Sequence, residues 1–96
     1  MAKVSYTKRA ISDLERISQF LLASNLDVIG TLDLIDEAIN ILGRHPFVGR
    51  PAEAGMHELV ISKGKSGYVA LYNYDAHHDV IQILSIRHQR EGGFRR

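Results

Sequence analysis

Asp79–Arg96, DVIQILSIRHQREGGFRR, is the stretch that decides how the rest of the chain must fold. Val80, Ile81, Ile83, Leu84 and Ile86 are apolar, and only Gln82 and Ser85 stand between them. An apolar run of this kind reads as a strand covered on both faces, and therefore central in its sheet. At Arg87 the character changes. Arg87, His88, Arg90, Arg95 and Arg96 follow against a single Glu91, Gly92-Gly93 permits a bend, and Phe94 sits among the charges. A strand that carries cations to the end of a sheet suits a phosphate or an acidic surface. The alternative is a solvated basic tail.

A central strand needs neighbours, and the sequence before it supplies them. Tyr68, Ala70, Tyr72 and Tyr74 alternate with Val69, Leu71 and Asn73, which predicts a strand over 68–74. Met56, Glu58, Val60 and Ser62 alternate with His57, Leu59 and Ile61, which predicts another over 56–62. Lys63-Gly64-Lys65-Ser66-Gly67 and Asp75-Ala76-His77-His78 are the turns between them, so the three strands form an antiparallel meander.

Further upstream the period changes. Ala10, Leu14, Ile17 and Leu21, widened by Ile11 and Phe20, predict an amphipathic helix over 8–23 with Thr7 as N-cap. Asp13, Glu15 and Arg16 read as lying off that stripe. Ser24 with Asp27 three residues on reads as a capping box for a second helix over 25–43. Its stripe is Val28, Leu32, Ile35, Ile39 and Leu42, with Ile29 and Ala38 beside it, and Gly43 stops it. Gly30 inside that helix costs about 1 kcal/mol relative to alanine. The link between helices is short, so they form an antiparallel hairpin. Arg44–Pro51 breaks the helix, with Phe47 and Val48 expected to pin the loop to the core. Lys3–Tyr6 alternates as a first short strand. The order is β-α-α-β-β-β, an α+β fold in one domain over 1–96, with the hairpin packed on a mainly antiparallel sheet.

Composition excludes several classes. There are no cysteines among the 96 residues, so neither disulfides nor cysteine-ligated zinc are available. The first residues lack the apolar core of a signal peptide and no apolar run approaches membrane-spanning length, so the cytoplasm is expected, without membrane contact. The net charge of +1 conceals an asymmetry. Lys3, Lys8 and Arg9 make the first nine residues basic. Residues 10–43 carry Arg16 against Asp13, Glu15, Asp27, Asp33, Asp36 and Glu37, and residues 44–96 return to positive. Such a split points to two surfaces for two partners.

No motif calls for a cofactor. KGKSG lacks the spacing of a phosphate-binding loop and does not open a helix. His77, His78, Asp75 and Asp79 share one tight turn, which reads as solvated rather than as a built metal site. In a meander, Lys63 and Lys65 lie at the same end as Arg87, His88 and Arg90, and Arg50 approaches from the loop. Histidine moves protons near neutral pH, and lysine or arginine holds and neutralises phosphate. That inventory serves metal-free RNA cleavage, and it serves binding to an acidic protein groove equally well.

Thr7, Ala10, Asp13, Leu14 and Ile17, then Gly49-Arg50-Pro51, Glu58-Leu59-Val60 and Ile83-Leu84-x-Ile86-Arg87-His88 together resemble the RelE/ParE superfamily of bacterial toxins, in order and over nearly the whole chain. The resemblance implies the toxin of a type II toxin–antitoxin module, or plasmid stabilisation protein, whose expression arrests growth. It implies a cognate antitoxin that neutralises the toxin by direct binding and connects it to operator DNA only indirectly. ParE-like members poison DNA gyrase and are not enzymes in that role. RelE-like members cut mRNA on the ribosome as metal-free endoribonucleases. Arg87 and His88 fall where a catalytic pair is expected if the chain is a ribonuclease. Phe94, without an ionisable group, cannot replace a catalytic tyrosine. The acidic hairpin and the Gly49-Arg50-Pro51 loop look ParE-like, so gyrase is the expected target, with Arg50, Lys63, Lys65, Arg87, His88 and Arg90 as target-binding residues. A non-toxic binding module with the same fold is the third reading.

Overall fold

A computed structural model describes residues 1–63 and 66–89, apart from the side chains of Lys63 and Ser66. Lys65, Arg90 and the Gly92–Arg96 tail lie outside the described residues. The elements are β1 (Lys3–Tyr6), α1 (Lys8–Ala23), α2 (Val28–Asn40), β2 (Arg50–Pro51), β3 (His57–Lys63), β4 (Ser66–Asp75) and β5 (Val80–His88). They form an α+β fold, with one sheet in the order β1-β5-β4-β3-β2. β3, β4 and β5 make the expected meander, and β1 lies parallel to β5. β2 is an addition to the expected order. It pairs Arg50 with Glu58 and Pro51 with His57 at the sheet edge, where proline's missing N–H is tolerated.

The two helices show which apolar residues the core takes. Thr7 caps α1 by accepting from the Ala10 N–H at 3.1 Å. Ala10, Ile17 and Leu21 are buried, whereas Ile11 and Phe20 are exposed, so the buried stripe is narrower than expected. Ser24 does not open α2. It is the C-cap of α1, and Asn25 follows in the left-handed region at φ 58. The Asn25 N–H donates to Leu22 O and the Leu26 N–H to Leu21 O, the paired bonds of a Schellman stop. Asp27 is the N-cap of α2 instead, accepting from the Gly30 N–H at 2.9 Å. A Cβ on Gly30 would run into that carboxylate, which accounts for glycine so near the helix start. α2 buries Thr31, Ile35 and Ile39 and leaves Ile29 71% exposed, because the helix starts at Val28 and turns Ile29 away from the sheet.

The hairpin covers one face of the sheet. Tyr68, Ala70, Tyr72, Ile61, Ile81, Ile83 and Ile86 meet Ile17, Leu21, Ile35, Ile39 and Leu42 there. Each isoleucine or leucine buried so completely contributes about 1.5–3 kcal/mol, which outweighs an exposed ion pair at about 0–1 kcal/mol. Among the described residues no helix covers the other face. Val69 is buried yet stands outside the core cluster.

The apolar run in β5 also reflects a break in its alternation. Tyr72 pairs with Ile83 and Leu71 with Ser85, so Leu84 is an extra residue, a β-bulge. The bulge reverses the alternation. Ile81 and Ile83 face the helices before it, and Ile86 faces them after it.

Phe47 and Val48 do not pin the 44–49 loop, for both are exposed. Tyr72 holds the loop: its hydroxyl donates to Pro46 O at 2.8 Å and accepts from the Gly49 N–H at 3.0 Å. Phe47 instead lies across the His57 and Tyr74 rings, at centroid distances of 5.7 and 5.5 Å.

Candidate functional site

The end of β5 follows from that bulge. Tyr68 is the cross-strand partner of both Ile61 and His88, and Ser66 is that of Lys63. The backbones of Lys63 and His88 thus reach the same end of the sheet, as the meander requires. Adjacent strand residues point to opposite faces, so Arg87 and His88 part company. His88 lies on the helix-covered face, edge-on to the Tyr68 ring at a centroid distance of 5.2 Å. Arg87 lies on the other face, beside Val69. Both are half-buried.

Arg50 shares a face with Arg87 but not its neighbourhood. Its Nε donates to Glu58 Oε1 at 3.0 Å. β2 is three strand spacings from β5, roughly 14 Å. Glu58, Val60 and Leu71 occupy the surface between them, with Leu71 half-buried and Val60 exposed. The face away from the helices therefore carries an apolar strip of Val60, Val69 and Leu71 between that ion pair and Arg87. Ala52, Glu53, Met56, Glu58 and Leu71 line an open depression on it.

Three residues that position the end of β5 were not among the expected site residues. β1 ends at Tyr6, opposite Ile83, and leaves the edge of β5 beyond it without a strand. The Thr7 hydroxyl donates to Ile83 O at 2.9 Å, with Leu84 O at 3.2 Å, which ties down the bulge. Asp13 Oδ2 accepts from the Ile86 N–H at 2.9 Å, and Arg16 Nη2 donates to Ile86 O at 3.3 Å. Asp13 is 8% exposed and is flanked by Arg9 at 3.8 Å and Arg16 at 3.5 Å. It is not off the stripe. It stands three residues after Ala10 and four before Ile17, on the buried face of α1. A carboxylate at a stripe position was the signal that could have found it.

The opposite end of the sheet carries the histidine turn. His78 Nδ1 lies 2.8 Å from Asp75 Oδ2, and the His78 N–H donates to Asp75 Oδ1 at 3.2 Å. These bonds, the side-chain bond foremost, hold the Asp75 carboxyl below its ordinary range. Tyr74 donates to Asp79 Oδ1 at 2.7 Å, and that bond raises the phenol above its ordinary value. The turn is exposed and closed upon itself, with the His77 and His78 rings edge to face at 4.8 Å.

Comparison with known proteins agrees with this architecture. The family described as the ParE toxin of the type II toxin–antitoxin system parDE matches residues 4–92. No curated protein matches the chain at significance. The crystal structure of the RelBE2 toxin–antitoxin complex from Mycobacterium tuberculosis is 27% identical, with a TM-score of 0.63 over 92% of this chain and 98% of that one. A chromosomal ParDE toxin–antitoxin system from P. aeruginosa superposes with a TM-score of 0.72 at 22% identity, over 90% of this chain and 94% of that one. A metal-bound toxin from Helicobacter pylori shares the fold at 14% identity and a TM-score of 0.53, over 96% of this chain and 99% of that one. No helix among the described residues is long and apolar enough to cross a membrane. With a family match over nearly its whole length and the same two-helix, five-strand architecture, the chain belongs to the ParE toxin family of type II toxin–antitoxin systems.

Proposed function

We propose that this toxin arrests growth by inhibiting DNA gyrase, and that it does so as a binding protein rather than as an enzyme. The observation that carries the reading is the separation of Arg87 from His88. A cation that neutralises a phosphate and a histidine that moves its proton must reach the same atoms, and these two, as neighbours on one strand, point to opposite faces, with the bulge at Leu84 setting His88 on the helix-covered side. A basic strand end approaching an acidic surface makes no such demand. Lys63 belongs to that end by its backbone position. Lys65 and Arg90 belong to it by sequence, and Arg50, on the same face as Arg87 but three strands away, extends the target surface beyond it.

The partner that neutralises the toxin is a cognate antitoxin, and the hairpin suits it. Phe20, Leu22, Leu26 and Ile29 are each more than half exposed around the tip. An amphipathic segment that folds on binding buries such side chains.

Ribosome-dependent mRNA cleavage is the second reading, supported by the 27% likeness to the RelBE2 toxin–antitoxin structure and by His88 against the Tyr68 ring. Purified toxin assayed on gyrase supercoiling and on ribosome-bound mRNA separates the two. Inhibited supercoiling with intact mRNA is the expected result, and cleaved mRNA with undisturbed gyrase reverses the assignment. Cytoplasmic action follows from either target.

A further inference from the structure

In a parallel pair, each strand satisfies the outward N–H and C=O groups of its neighbour. β1 does this for β5 only as far as Ile83. Two residues beyond the bulge, Ile86 has no strand beside it on that edge. It meets a carboxylate oxygen and a guanidinium nitrogen from consecutive turns of α1 instead. Asp13 takes the N–H and Arg16 supplies the donor for the C=O, the two roles of a missing strand residue. The same two side chains face each other at 3.5 Å. Arg9 faces Asp13 from the preceding turn at 3.8 Å, so the carboxylate is balanced from both sides.

We infer that Asp13 and Arg16 are positioning residues, a side-chain substitute for a longer β1 that holds Ile86 in register and so fixes which faces Arg87 and His88 present. The bulge creates the change of alternation, Thr7 ties down its first half, and the pair on α1 locks the second half one residue before the basic end. Without the lock, β5 past Leu84 can slip back by one residue. Such a slip exchanges the faces of Arg87 and His88. The role in toxicity rests on the reading that this end meets the target, whereas the positioning itself does not.

The test is amide hydrogen exchange at Ile86 together with the His88 ring-proton shifts, which the Tyr68 ring perturbs, alongside inhibition of the target. Asp13→Ala is expected to speed Ile86 exchange about tenfold or more, to move the His88 shifts toward those of an unstacked ring, and to weaken inhibition about tenfold. Asp13→Asn retains an oxygen acceptor and loses the charge, so it is expected to restore most of all three. Wild-type exchange and shifts in a folded Asp13→Ala protein overturn the inference. If Asp13→Ala does not fold, Arg16→Ala changes a side chain that is 47% exposed and probes the carbonyl half of the lock. His88 shifts unmoved in that variant overturn the inference equally. Altered exchange and shifts with undiminished inhibition support the positioning role and refute the target reading instead.

Discussion

The backbone N–H of Gly49 donates to the phenolic oxygen of Tyr72 at 3.0 Å, so a residue of the sheet core ends on the loop that leads into β2. Gly49 is buried, and a Cβ there would stand 2.6 Å from that oxygen and 2.7 Å from Glu58 O. Gly49→Ala is expected to destabilise the fold by about 1–3 kcal/mol through overpacking. Tyr72→Phe strands the Gly49 N–H and the Pro46 carbonyl at a similar cost of about 1–3 kcal/mol. Because one of the two obstructing oxygens is then gone, the glycine substitution should cost less in the Tyr72→Phe background. Urea denaturation of the four proteins measures the coupling.

Asp27 and Ser24 both obey the rules for a helix cap, and their substitutions separate them. Asp27→Ala is expected to cost about 1 kcal/mol, the ordinary worth of an N-cap. Ser24→Ala removes no bond given to its hydroxyl as a cap of α2 and should be close to neutral. Thermal melts of the two variants show the difference, and equal losses would refute the assignment of the cap.

Alkaline pH should weaken the fold through Tyr6. Tyr6 donates to Asp36 Oδ1 at 3.2 Å, and burial first, then the Asp36 charge, raise its phenol well above the ordinary value of 10.0. The folded protein therefore keeps this proton after the unfolded chain has lost it. Stability from this source is fully present below pH 10.0 and declines as pH rises above it. Urea midpoints at about pH 9 and about pH 11 should differ, and Tyr6→Phe should reduce the difference.

Arg87→Glu reverses the charge beside Val69 on the face away from the helices and is expected to reduce toxicity while leaving the protein folded. His88→Gln keeps a hydrogen-bonding side chain and removes proton transfer. Under the gyrase reading its effect is mild and confined to binding. Under the ribonuclease reading a loss on the order of 100-fold is expected. Growth assays under a tightly controlled promoter, with circular dichroism as the check on folding, compare the two variants directly.

The antitoxin footprint is expected on the hairpin. Hydrogen exchange of the complex should show protection across Phe20–Ile29, and coexpression of the antitoxin should restore growth. Protection confined to Gly92–Arg96 would contradict a footprint on the hairpin.

What the sequence disclosed was the local part of the fold. Thr7, the period of Ala10, Ile17 and Leu21, and the alternation of Tyr68, Ala70 and Tyr72 carry their meaning within a few residues, and each is found where that pattern puts it. The misses depend on contacts far along the chain. Ser24 satisfies a start rule and a stop rule together, and only the left-handed Asn25 with its bonds back to α1 decides between them. Phe20 and Ile29 look like core residues, yet periodicity cannot tell a side chain facing the sheet from one facing a partner. Asp13 answers to an N–H 73 residues away, and the need for it arises only because β1 is short. Within the candidate site, the shared end of Lys63 and His88 was legible from strand order. Which of the two faces Arg87 and His88 each take was not, since an extra residue inside an apolar run leaves no mark in composition.

That extra residue changes how this toxin can be compared with its relatives. At 22–27% identity, an ungapped alignment of β5 is easily drawn through Leu84. If a relative lacks the bulge, each residue aligned after it belongs to the other side of the sheet, and an arginine matched to Arg87 would be the spatial counterpart of His88. Functional residues are therefore safely transferred here by superposed backbones, not by matched letters, and deletion of Leu84 is a more informative mutation than any substitution at the two positions it governs.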